Sequence, residues 1–268
     1  MPPDDWRQYL ITFDTRQEAE DLAAQELRSA LATLETEDAI TRWFFTRKFP
    51  QWRVRYQPAP QCAQHPLDQA LEEWKARGRI TEWTRGIYEP EEYAFGGPTA
   101  MDTAHTLFWH DSRTILEHLS RIPHGGTGQR RELSIMLCSL LMRSAGQDFY
   151  EHGDVWARVA EERSLPSGVS REQLHRLGSD LVRLILVDTG PKSPLLREGA
   201  PLEWLIPWAE AFSEAGRDLG EHARTGTLTR GLRAVLAHHV LFHFNRIGLS
   251  ATTQSVLAHA AATAVFDT

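Results

Sequence analysis

Cysteine is scarce, with Cys62 and Cys138 the only two in 268 residues. They stand far apart and neither has a C-x-x-C partner, so a thiolate metal site is not supported and no metal is expected. A disulfide does not suit a chain expected in a reducing compartment. Lysine is confined to Lys48, Lys75 and Lys192, so nearly all positive charge is arginine. Arginine forks suit carboxylate recognition, although a genome rich in G and C produces the same bias. No apolar run approaches the ~20 residues of a membrane helix. The start, Met1-Pro2-Pro3-Asp4-Asp5, lacks the basic and apolar regions of a signal peptide, so cytoplasmic residence is expected. A net charge of −7 argues against broad affinity for nucleic acid or anionic membrane. Gly125-Gly126-Thr127-Gly128 lacks the G-K-[ST] ending of a phosphate loop, and no G-x-S-x-G elbow occurs. No cofactor is implied.

An apolar content of 41% with 24% charged residues is ordinary for a globular protein. Alternation predicts strands over Gln8 to Phe13, Arg42 to Arg47, Gln51 to Gln57 and Arg79 to Tyr88. Helices are expected over Thr15 to Leu34 and Leu67 to Arg77, with a loop from Pro58 to Pro66. Beyond Thr99 helices dominate: Thr99 to Leu119, Arg130 to Ala145, Phe149 to Glu162, Ser170 to Leu186, Leu202 to Ala215, Leu228 to Asn245 and Ala251 to Phe266. The fold class is therefore α+β, an N-terminal antiparallel or mixed sheet packed against a mostly helical C-terminal part. No linker-like stretch divides the chain, which predicts a single domain over 1–268.

Four constellations can carry chemistry. In Trp52-Arg53-Val54-Arg55, strand alternation puts Arg53 and Arg55 on one face, a receptor for a carboxylate or an enolate oxygen. A solvated strand face accounts for the same pattern. In Tyr88-Glu89-Pro90-Glu91, two carboxylates precede the Gly96-Gly97-Pro98 break, where acid or base chemistry competes with an ordinary acidic turn. In the stretch from Leu241 to Ser250, which holds Asn245 and Arg246, His243 reads as a proton shuttle or as a surface or satisfied core histidine. His238 and His239 read as surface or satisfied core histidines, and Ser250 as the cap of the last helix. In Glu151-His152-Gly153-Asp154-Val155-Trp156 no second motif completes a metal site, Asp154 is the expected helix cap and Trp156 packing. Cys138 reads as buried packing.

The stretch from Tyr88 to Ser112, Y-E-P-E-E-Y-A-F-G-G-P-T-A-M-D-T-A-H-T-L-F-W-H-D-S, resembles the thiopeptide-type bacteriocin biosynthesis family. That family is homologous to the glutamate-elimination domain of class I lantibiotic dehydratases. The resemblance runs over nearly the whole chain and implies an elimination-domain-like fold and an enzyme modifying ribosomally made peptides. The elimination domain has H-L-R-x-R where this chain has Gln51-Trp52-Arg53-Val54-Arg55, so both arginines are kept and the preceding pair is not. It has Y-E-x-E-x-x-R-Y-G-G where Glu91 matches the second glutamate and Ala94 stands for the arginine. It has H-M-x-x-N-R-L where Asn245-Arg246 align and Leu241 stands for the histidine, leaving His243 the nearest substitute. Asp154 resembles an acidic position of the stand-alone members.

The resemblance implies two activities. The broken elimination set favours the pyridine-forming branch, a formal [4+2] aza-cycloaddition of two dehydroalanines with loss of water and leader peptide. There Glu89 or Glu91 and Asp154 would move protons, His243 and Ser250 would donate hydrogen bonds, and Arg53 and Arg55 would hold the peptide with Tyr88, Asn245 and Arg246. Against it, cyclases of this family use a tyrosine near the last helices, and here none follows Tyr150. The retained arginine pair motivates the alternative, elimination of glutamate from glutamylated Ser or Thr. A third reading is a non-catalytic peptide-binding subunit of a modification complex. The implied partners are a precursor peptide (leader plus dehydrated core), other modification enzymes of the pathway, and a second copy of the chain in a homodimer.

Overall fold

A computed structural model describes residues 6–60, 65–122, 126, 128–190 and 193–267. Cys62 and, in the Gly125–Gly128 loop, Gly125 and Thr127 lie outside the described residues. The chain divides into two compact units, one of residues 6–90 and 108–128, the other of residues 91–107 and 129–267.

The first unit is built on four antiparallel strands in the order β2-β3-β1-β4: β1 (Arg7–Thr12), β2 (Ile40–Lys48), β3 (Gln51–Pro58) and β4 (Glu82–Gly86). Alternation gives the sheet two different faces. On one, Tyr9, Phe45, Trp52, Val54 and Tyr56 are buried, with Tyr9 stacked on Tyr56 and Phe45 on Trp52. This face meets α1 (Arg16–Leu22), where Glu20 pairs with Arg47 at 2.5 Å. It also meets α3 (Asp68–Ala76), whose Asp68 accepts from the Tyr9 hydroxyl at 2.7 Å. A π-helical turn (Ala23–Leu27) joins α1 to α2 (Arg28–Thr36), which contacts β2. The other face carries Gln8, Phe44, Arg53 and Arg55. Phe44 packs there against Phe108, in the later part of α5 (Pro98–Arg121), and Ser112 Oγ accepts from the Phe45 amide at 3.2 Å. The strand expected from Arg79 to Tyr88 is shorter, because Ile87 to Pro90 leave the ladder.

The second unit is helical: α4 (Glu92–Phe95), the start of α5, α6 (Arg130–Ser144), α7 (Phe149–Glu161), α8 (Arg171–Ile185), α9 (Ile206–Arg224), α10 (Leu232–Ile247) and α11 (Ala251–Phe266). A 3-10 turn (Glu203–Leu205) leads into α9. In α6 every residue from Leu133 to Met142 is buried, as expected of a helix surrounded by others; Cys138 is one of them. Contacts with α9 depend on glycine: a Cβ on Gly216 would run into the Leu141 carbonyl oxygen. The helix expected to stop at Ala215 therefore continues through Gly216 and Gly220, which are points of close approach and not breaks. The cap of α7 also differs from expectation. Asp148 is the N-cap, in a reciprocal box with Glu151, and Asp154 lies inside the helix.

Among the described residues no helix is long and apolar enough to cross a membrane.

Candidate functional site

In the first unit, Arg55 organises the segment that leaves β4. Its Nε donates to Gln8 Oε1 at 2.8 Å and one Nη donates to Thr46 Oγ1 at 3.1 Å. Gln8 in turn donates from Nε2 to the Ile87 carbonyl at 3.1 Å. The Arg55 guanidinium lies 4.7 Å from the Tyr88 ring centre and 5.2 Å from that of Phe44, within cation–π range. Arg55 is buried, so its charge and flat face fix Ile87 and Tyr88 where the chain turns towards its two glutamates. Arg53 lies on the same face, and its buried Nε has no hydrogen-bond partner among the described residues. Glu89 is exposed.

In the second unit, Glu91 immediately precedes α4, and its Oε2 lies 3.0 Å from His238 Nε2 on α10. Glu91 is 55% exposed and His238 21% exposed, so the pair is open to solvent on the carboxylate side and shielded on the imidazole side. Phe95 shields it, its ring edge-on to His238 at 4.7 Å and to His239 at 4.9 Å. Two bonds from the turn before α10 hold α4 in place: Thr229 N donates to the Gly96 carbonyl at 2.9 Å and Arg230 Nη1 to the Ala94 carbonyl at 2.9 Å. Gly96 and Gly97 have φ of 92° and 104°, a left-handed backbone that glycine adopts without strain. That turn lets the chain leave α4 and enter α5 at once. A carboxylate bonded to an imidazole, partly dry and held from both sides, has the geometry of a general acid–base pair.

Asp154 belongs to a neighbouring cleft of about 520 Å³, lined by Gln147, Glu151, Arg158 and Arg233. Its Oδ2 pairs with Arg233 at 2.7 Å and with Arg158 at 3.9 Å. Arg233 and Ala234 begin α10, and Ala234 lies four residues before His238, on the same face of that helix.

The remaining predicted residues are placed elsewhere. His243 is buried, its Nε2 3.1 Å from Ser134 Oγ and its ring edge-on to Phe212 at 5.2 Å. Ser250 caps α11, accepting from the Thr253 amide at 3.1 Å. Asn245 accepts from Gln254 Nε2 at 2.9 Å, and Arg246 is buried. His152 is also buried; burial first, then the charge of Arg143, pushes its pKa down to about 4. The Gln147 backbone favours its protonated ring, from outside hydrogen-bonding geometry. Trp156 is fully buried and stacks on Phe244. Among the described residues no cluster of three or more His, Cys, Asp or Glu could hold a metal.

The sequence did not single out His238 as the partner of Glu91. It was read as a surface or core histidine, because its partner lies 147 residues away. One signal was present: His238 stands three residues before Leu241, one helical turn away on the same face, whereas His243 is turned ~200° from Leu241.

Residues 6–265 match the lantibiotic biosynthesis dehydratase C-terminal family. The chain belongs to that family. Its fold is shared with MibB, the tRNA-dependent lantibiotic dehydratase from Microbispora sp. 107891. There the TM-score is 0.68 at 21% identity, over 100% of this chain and 28% of MibB. TsrL gives 0.67 at 13% identity, over 97% of this chain and 94% of its own. TbtD, the pyridine synthase from thiomuracin biosynthesis, gives 0.61 at 15% identity, over 98% of each chain. No curated protein matches the sequence.

Proposed function

We infer that this protein is a maturation enzyme for a ribosomally synthesised peptide and that Glu91 with His238 carries its proton transfers. The Glu91–His238 contact at 3.0 Å supports this reading most directly. It joins the family's most specific motif to α10, the helix where the elimination domain keeps its histidine.

The favoured reaction is the formal [4+2] aza-cycloaddition of two dehydroalanines. An amide gives up its N–H proton while its oxygen gains one, and the resulting azadiene adds to the second alkene. The adduct then loses water and the leader peptide to leave a pyridine. The tautomerisation, the loss of water and the release of the leader amide all need protons taken up and delivered, which an acid–base pair can serve. Ala94, Leu241 and Gln51-Trp52, which depart from the elimination set, support this branch. Asp154, salt-bridged to Arg233, is assigned a second proton-transfer role. In the first unit, Arg53, Arg55 and Tyr88 are assigned to holding the peptide. His243, Asn245 and Ser250 are given the structural work their contacts describe.

Glutamate elimination is the second reading, supported by the paired Arg53 and Arg55 on one sheet face. It needs the same pair to take a Cα proton and release glutamate.

Glu91→Gln keeps the shape and removes the base. It should lower turnover of a dehydrated precursor peptide by ~10²–10⁴-fold, the usual share of a general acid or base. His238→Gln should do the same, followed by mass spectrometry. Wild-type rates in both variants would exclude the pair from the chemistry.

A further inference from the structure

Arg230 sits in the turn that leads into α10. Its Nη1 donates to the Ala94 carbonyl at 2.9 Å, and among the described residues no carboxylate pairs with it. The side chain is half-buried. Arg233, three residues on, is by contrast taken by Asp154 at 2.7 Å. A guanidinium has five N–H donors in a planar fork, and one bond to a carbonyl leaves most of that fork unused. Burying a cation without an acid costs free energy that a bound anion would recover.

Its position adds meaning. Ala94 lies at the end of α4 and Glu91 at its beginning, about one helical turn or ~5 Å apart along the axis. Glu91 Oε2 lies 3.0 Å from His238 Nε2. Backbone bonds share the closing of α4 with that one Nη1 contact. The Gly97 amide already donates to the Glu92 carbonyl at 2.8 Å, and the Thr229 amide ties the turn to Gly96. The fork is thus anchored at one corner, beside an acid–base pair.

We propose that Arg230 is the carboxylate-binding residue of the Glu91–His238 site. The proposal rests on the reading of that pair as the reacting groups, and it names the group the site holds beside them. Two sources offer the same chemistry: a glutamyl carboxylate, or a carboxylate of the peptide itself.

The test uses the intact protein and binding alone. Side-chain ¹⁵N signals of the histidines are followed while free L-glutamate is added, with L-glutamine as the uncharged control. Glutamate should shift the His238 signal saturably and glutamine should not. Arg230→Gln should weaken binding at least tenfold, and Arg230→Lys should keep part of it. Melting curves check that each variant is folded. If glutamate is silent but a peptide bearing an acidic side chain gives an Arg230-dependent shift, the carboxylate belongs to the peptide and the assignment stands. Equal shifts with glutamine, unchanged affinity in Arg230→Gln, or silence with both ligands would overturn it. Loss of turnover in Glu91→Gln without loss of glutamate binding in Arg230→Gln would refute this proposal and leave the acid–base reading intact. The reverse result would refute only the acid–base reading.

Discussion

Acid should weaken this fold through one residue, His152. The ring is buried on α7, and its pKa is pushed from the ordinary value near 6.5 down to about 4. Above pH 6.5 neither folded nor unfolded chain binds the proton, so the group has no effect. As pH falls below 6.5 the unfolded chain takes up a proton that the folded chain refuses, and stability falls until about pH 4. The gap at ~1.4 kcal/mol per pH unit is worth about 3.5 kcal/mol at most, a large part of an ordinary domain's stability. His152→Gln keeps a polar side chain that does not titrate. Urea midpoints measured at several values between pH 7 and pH 4 should fall steeply for the wild type and less for the variant, the two curves converging towards low pH. Parallel curves across that range would refute the assignment of the acid sensitivity to His152.

Other consequences follow from packing and capping. Gly216→Ala gains ~1 kcal/mol of helix propensity but drives its Cβ into the Leu141 carbonyl. A net loss of about 2 kcal/mol is expected, visible as a lower melting temperature, and an unchanged or higher one would contradict the close α6–α9 contact. Asp148→Ala removes one half of a reciprocal cap on α7 and should cost ~1 kcal/mol by chemical denaturation. No change there would mean that water replaces the cap at no cost.

Most of the fold could be read from the chain, for identifiable reasons. The sheet strands alternate cleanly, and Trp52, Val54 and Tyr56 are buried where alternation places them. The last helix runs from Ala251 to Phe266 as expected, because Ser250 is a strong cap and Gly248 a strong stop. Errors arose where a residue type has two meanings. The helix expected to stop at Ala215 runs on through Gly216 and Gly220, which serve helix contact. Thr229 and Gly231 read as part of a helix, yet Thr229 to Gly231 form the turn that clamps α4. Asp154 read as a cap, yet Asp148 has the side chain in capping position. The site was less legible than the fold. Glu91 could be singled out by its neighbours in sequence, but His238, Arg230 and Arg233 acquire meaning only through partners 79 to 147 residues away. Side-chain pairing at that range leaves no periodic trace.

The most direct test of the account is mass spectrometry of two synthetic peptides incubated with the purified protein, one carrying two dehydroalanines and one glutamylated. The account predicts loss of water and release of the leader fragment from the first, dependent on Glu91 and His238. Loss of glutamate from the second would move the protein to the elimination branch. Unchanged masses for both peptides would contradict a maturation enzyme that acts through this pair.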